Sequence, residues 1–152
     1  MKRIVCIAAA MLLLTGCMTV HAYINDIDAE TVQSISFYEL GEYVDVTTEG
    51  QGFENQQEPI YTLEQSEHKA FLEELSTIRY EDSIWLIGPS DPSFTYGRLV
   101  VRINFTDGGY RLISYAHYGA TFDAAGELVT YDHYGCDEET FVRLISRYIS
   151  EE

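Results

Sequence analysis

The sequence predicts an α+β domain: a single antiparallel β-sheet of about five strands with two helices packed on one face. Three observations predict it. Apolar residues alternate along 99–105, two other segments carry apolar stripes at helical spacing, and turn signals reverse the chain between β-rich runs. Strands in series with a helix before and after them form two layers around one core.

The elements follow in order. Positions 17–30 have a mixed composition without a clear period and read as a tether. Segment 31–40 alternates, with Ile35 and Phe37 on one side, and Gly41 marks a turn into a second β-rich run at 43–48 that would pair with it as a hairpin. The glycine-punctuated stretch 50–59 reads as an exposed loop. A helix is expected over 64–78, because Phe71, Leu72, Leu75 and Ile78 keep the 3.6-residue period and Thr62 with Gln65 resembles a capping box. Positions 79–97 are less regular. Trp85 and Ile87 are apolar there, and Gly88-Pro89-Ser90-Asp91-Pro92 is a loop.

In the C-terminal third, Leu99, Val101, Ile103 and Phe105 alternate with Val100, Arg102 and Asn104, the pattern of a half-buried strand. Asp107-Gly108 suits a type I′ turn, which would set Phe105 opposite Tyr110 and Ile103 opposite Leu112. Asp123-Ala124-Ala125-Gly126 reads as a type I turn with glycine in the left-handed position, so residues 123 and 127 should pair. Asp137-Glu138-Glu139 then opens a helix whose apolar stripe is Phe141, Leu144, Ile145, Tyr148 and Ile149, with Arg143 and Arg147 towards its negative end. Leu75 and Leu144 are the expected core residues of the two helices.

The chain begins with Met1-Lys2-Arg3 and an uncharged, mostly apolar run to Leu14, too short for the roughly 20 residues a membrane-spanning helix needs. The run ends in Leu14-Thr15-Gly16-Cys17. This tetrapeptide resembles the lipobox of bacterial lipoprotein precursors. The resemblance implies a signal peptide over 1–16, a diacylglyceryl thioether on Cys17, a lipidated tether over 17–30 and one α+β domain over 31–152. It also implies an extracytoplasmic domain, lipid-anchored at the cell membrane or outer membrane. The domain is similar in outline to small, uncharacterised bacterial lipoprotein domains, a similarity that transfers no active site.

Without residues 1–16 the chain keeps seven Lys and Arg against 25 Asp and Glu, a formal charge of −18. That charge excludes nucleic acid, whose phosphates need cationic side chains. It suits a basic protein or a cationic envelope polymer as partner. Of three cysteines, Cys6 leaves with the signal and Cys17 takes lipid, so Cys136 has no partner within the chain. The expected role is a non-enzymatic binding or accessory module, with an inhibitor or immunity protein as the specific form.

One internal echo stands out: Tyr115-Ala116-His117-Tyr118-Gly119 against Tyr131-Asp132-His133-Tyr134-Gly135. Counting outward from the pair 123–127 sets His117 opposite His133, where two imidazoles about 5 Å apart would face each other. Tyr115, His117, Tyr118, Tyr131, His133 and Tyr134 are therefore the candidate binding residues. The alternative is a metal-binding or enzymatic site on His117 and His133. No third ligand is set by spacing, so no metal and no cofactor is expected, and no catalytic residue is assigned. His68, on the apolar side of the first helix, reads as a partly buried, hydrogen-bonded histidine at the helix margin rather than a catalytic base.

Overall fold

The computed structural model describes residues 20–39, 58–82, 99–115, 119–132 and 134–149. Eight strands and two α-helices occur among them. The strands are β1 (Val20–Ala22), β2 (Val32–Glu39), β3 (Tyr61–Thr62), β4 (Tyr80–Asp82), β5 (Leu99–Phe105), β6 (Tyr110–Ile113), β7 (Gly119–Phe122) and β8 (Leu128–Asp132). The helices are α1 (His68–Leu75) and α2 (Glu138–Ile149). Six strands form an antiparallel sheet in the order β3-β2-β5-β6-β7-β8, and β1 pairs with β4 as a separate antiparallel ribbon. The α+β class and the two helices agree with the sequence; the single sheet of about five strands is corrected to six strands plus a two-strand ribbon. The expected strand at 43–48, Trp85, Ile87 and the loop at 88–92 lie outside the described residues.

The segment read as a tether is built into the fold from Val20 onward. Ala22 of β1 pairs with Tyr80 of β4, and Ile24 is buried in the main core with Ala22, Ile27 and Ala29 packed against it. Its apolar residues are too short a series to show a period, which is why the sequence hides them.

Helix α1 buries Phe71, Leu72 and Leu75, and Ile78 follows them into the core just past its end. The helix is shorter than the expected 64–78. At its start, residues Gln65–Glu67 form a 3₁₀ turn, and the Glu64 amide donates to Glu67 Oε2 at 2.9 Å. At its end, the hydroxyls of Ser76 and Thr77 donate to the carbonyls of Glu73 and Glu74 at 2.7 Å each, offering the last turn an alternative to continued helix. Thr62 is no cap; its hydroxyl lies 3.0 Å from that of Ser36, the residue it pairs with across β2 and β3. Helix α2 starts one residue later than expected, because Asp137 caps it: its Oδ2 accepts from the amide and hydroxyl of Thr140, both at 2.8 Å. Those bonds hold the Asp137 carboxyl below its usual pKa.

Phe141, Leu144 and Ile145 of α2 meet Phe71 and Leu75 of α1 on the sheet face formed by Ile35, Phe37, Val101, Ile103 and Ile113. Both helices therefore cover one face. Phe37 contacts Phe71 at 5.3 Å between ring centroids, and Tyr148 meets Phe71 edge-on at 5.3 Å.

The first hairpin departs from expectation by one residue. Among the described residues only glycines have positive φ, so Asp107 cannot take part in a type I′ turn. The Gly108 amide donates to the Phe105 carbonyl at 3.0 Å and the Phe105 amide to the Gly109 carbonyl at 2.8 Å. Gly108 has φ +90°, so a type I turn followed by a left-handed glycine closes the hairpin. Ile103 consequently pairs with Arg111 and Arg102 with Leu112, instead of Ile103 with Leu112; Tyr110 pairs with Asn104, instead of with Phe105. A shift of one residue moves a strand's side chains to the opposite face. Tyr110 and Leu112 thus join Tyr38, Val100, Ala120 and Phe122 in a second buried cluster on the sheet face away from the helices. The expectation of a half-buried strand at 99–105 fails for the same reason, since Val100 and Val101 on opposite faces are both fully buried.

Candidate functional site

Two hairpin turns and one 3₁₀ turn build an acidic end. The second hairpin turn forms as the sequence predicts: Gly126 has φ +81°, its amide donates to the Asp123 carbonyl at 3.0 Å, and the Asp123 amide donates to the Glu127 carbonyl at 3.0 Å. Asp123 Oδ1 accepts from the amides of Ala125 and Glu127, both at 2.9 Å, while Asp107 Oδ1 accepts from Gly109 at 2.9 Å. Short acidic side chains are in these turns because they satisfy turn amides. In a meander both turns fall at the same end of the sheet, and a Cβ placed on Gly108 would stand 3.2 Å from that of Ala124. The 3₁₀ turn Ala29–Thr31 joins them through the Thr106 amide, which donates to the Thr31 carbonyl at 2.9 Å. Its own cap is again acidic, Asp28 Oδ1 accepting from the Glu30 amide at 3.0 Å. Asp28, Glu30, Asp107, Asp123 and Glu127 are all exposed at this end.

The opposite end carries the β1–β4 ribbon. The Glu81 and Gly135 amides donate to each other's carbonyls at 2.7 and 3.1 Å, fastening the ribbon to the chain beyond β8. Arg79 Nε donates to His21 Nδ1 at 3.0 Å, and an Arg79 terminal nitrogen lies 3.0 Å from Glu81 Oε1. Beside this cluster, Thr77, Ile78, Cys136, Asp137 and Thr140 line an open cleft of about 500 Å³. Cys136 is a poor nucleophile there: burial, with a smaller contribution from the charge of Asp137, pushes its thiol pKa up to about 11, against the lowering effect of a hydrogen bond with Tyr80.

Between the two ends, Arg111 crosses the helix-side face. Its terminal nitrogen reaches both carboxylate oxygens of Asp26, at 3.1 and 3.0 Å, and the guanidinium lies 3.9 Å from Asp132. Gly119 makes room for it; a Cβ there would stand 2.3 Å from Arg111 Nε. Taking a guanidinium this deeply covered out of water is costly, and the carboxylates beside it offset that cost.

The chain matches no protein-family model, no curated protein and no solved structure.

The echo residues separate. Tyr131 packs on the second cluster, where burial above all raises its phenol pKa strongly. Tyr115 and Tyr134 pack against the helix-side core instead, and the Tyr115 carbonyl accepts from the Cys136 amide at 2.7 Å. Those three tyrosines do not share one exposed platform. His117, Tyr118 and His133 lie outside the described residues. The count that set His117 opposite His133 already fails before reaching them: Phe122 pairs with Leu128 but Thr121 with Thr130, so Val129 is an extra residue, and Gly119 pairs with Asp132 instead of Tyr131. The bulge shifts the described pairs of Thr121, Ala120 and Gly119 by one residue. Among the described residues no three His, Cys, Asp or Glu side chains gather as a metal-ligating group. His68 is buried, more deeply than the partly covered margin position expected of it.

The acidic end was missed by sequence reading, although both turns were recognised. The missing signal is topological, since consecutive hairpins in a meander put alternate turns at one end and the carboxylates that close those turns go with them.

Proposed function

We propose that this chain is the precursor of a bacterial lipoprotein, lipidated on Cys17, and that its domain is a non-enzymatic binding module for a basic protein of the cell envelope. An inhibitor or immunity protein is the specific form of this reading. The anchor is supported by the order of its parts: two cationic residues, an uncharged run too short to span a bilayer, and Leu14-Thr15-Gly16-Cys17. Among the described residues no helix is long and apolar enough to cross a membrane. A lipidated terminus attaches a domain without spanning, each buried CH₂ contributing about 0.8 kcal/mol.

The observation that carries the binding reading is the acidic end, where Asp28, Glu30, Asp107, Asp123 and Glu127 are exposed together. Exposed carboxylates gathered at one end attract a cationic partner from a distance, accelerating encounter at low salt. In the cleft lined by Cys136, burial keeps its thiol in the weakly nucleophilic protonated form.

The experiment is affinity capture from envelope extracts on the purified domain, comparing wild type with Glu30→Lys/Glu127→Lys. Neither of those side chains is needed to close a turn. The proposal expects a basic protein to be retained by wild type, lost in high salt, and lost from the charge-reversed variant. Equal retention by both proteins contradicts the acidic end as the binding surface.

A further inference from the structure

The fold begins close to the lipid. Only Met18 and Thr19 separate Cys17 from Val20, the first residue of β1. Three Cα-to-Cα steps reach at most about 11 Å. The headgroup region of one leaflet is itself about 5–8 Å deep. Val20 of a Cys17-lipidated chain is therefore confined to the headgroup layer or its immediate border. β1 is no loose arm: it pairs with β4 over three residues, Ile24 just beyond it is buried, and β4 is bonded to Gly135. Holding Val20 at the membrane therefore holds the β1–β4 rim of the domain close to it.

We propose that the β1–β4 rim, with His21, Tyr23, Arg79 and Glu81, is a membrane-facing surface seated among the phospholipid headgroups that surround the Cys17 lipid. This rests on the lipoprotein reading and adds an orientation to it. The chemistry of the rim suits that place. Tyr23 is 45% exposed and combines an apolar ring with a polar tip, the character of residues at membrane interfaces. Arg79 and His21 stand together with Glu81, so cationic and anionic groups meet in this cluster, whereas the opposite turns present the carboxylates of Asp28, Glu30, Asp107, Asp123 and Glu127. Seating the rim on anionic headgroups keeps the strongly acidic end away from them. The five residues of β8 separate that end from Gly135, about 16 Å along the strand. The acidic turns then point away from the membrane, towards an approaching partner.

The test uses the full chain, processed in cells and reconstituted into vesicles of phosphatidylethanolamine and phosphatidylglycerol. A benzophenone amino acid is placed at Tyr23 or, separately, at Ala124 in the acidic turn, and photo-cross-linking to lipid is measured. Cross-linking at position 23 and little at 124 is expected. A Gly/Ser insert of 12 residues after Met18, adding about 20 Å of flexible reach, should reduce the signal at 23 to the level at 124 without releasing the protein. Equal cross-linking at both positions, or none at 23, overturns the orientation if the protein still floats with the vesicles. Flotation unaffected by Cys17→Ala, or no flotation of wild type, instead overturns the lipoprotein reading, and the orientation falls with it.

Discussion

The guanidinium of Arg111 occupies the space that a side chain at position 119 would need, with Nε only 2.3 Å from where a Cβ would stand. Arg111 is on the helix-side face because it pairs with Ile103, and from there it ties Asp26, in the segment after β1, to the sheet. Strands β6 and β7 are thereby linked to the N-terminal segment through one charged side chain.

Gly119→Ala should therefore displace Arg111 and destabilise the domain by about 1–3 kcal/mol, the usual cost of forcing extra atoms into a packed site. The cost should be less than additive with Arg111→Met, because the second change removes the group the methyl collides with. Denaturant midpoints of the two single variants and the double variant form the cycle. Additive losses would show that the two positions do not interact.

Leu75→Ala and Leu144→Ala should each cost about 2–5 kcal/mol, as expected for buried leucines. Leu75 is 0% exposed and Leu144 3%, and both belong to the helix-side core. Urea titrations followed by circular dichroism would report the losses. Wild-type midpoints in both variants would contradict the packing of the helices on the sheet.

Cys136 gives a prediction in pH. Its thiol pKa is pushed from 9.0 up to about 11, chiefly by burial. A raised folded-state value means that the folded protein keeps its proton longer than the unfolded chain. This contribution to stability is intact below about pH 9 and is lost as pH rises towards 11. Iodoacetamide should alkylate Cys136 slowly in the folded protein at pH 8 and much faster in urea. The Cys136→Ser variant should lose less stability than wild type between pH 9 and 11. Equal alkylation rates in folded and unfolded protein would contradict the burial of the thiol.

What the sequence made legible depended on how local the determining interactions were. The stripes of Phe71, Leu72 and Leu75, and of Phe141, Leu144 and Ile145, identify both helices, because a helical face is read within one segment. The turn at Asp123 was legible for the same reason. Register was not. The choice between type I′ and a type I turn with left-handed Gly108 changes one residue in the loop, yet it sends Tyr110 and Leu112 to the other face. The extra residue at Val129 likewise shifts the count by one for Thr121, Ala120 and Gly119. β1 was hidden because three residues have no period and its partner, β4, is distant in sequence. The acidic end required the topology first.

The most direct measurement for the account is metabolic labelling with a clickable fatty acid, since both the binding reading and the orientation assume lipid on Cys17. Wild-type protein should incorporate the label and fractionate with membranes, and Cys17→Ala should do neither. An alanine variant that remains labelled and membrane-bound would contradict the account.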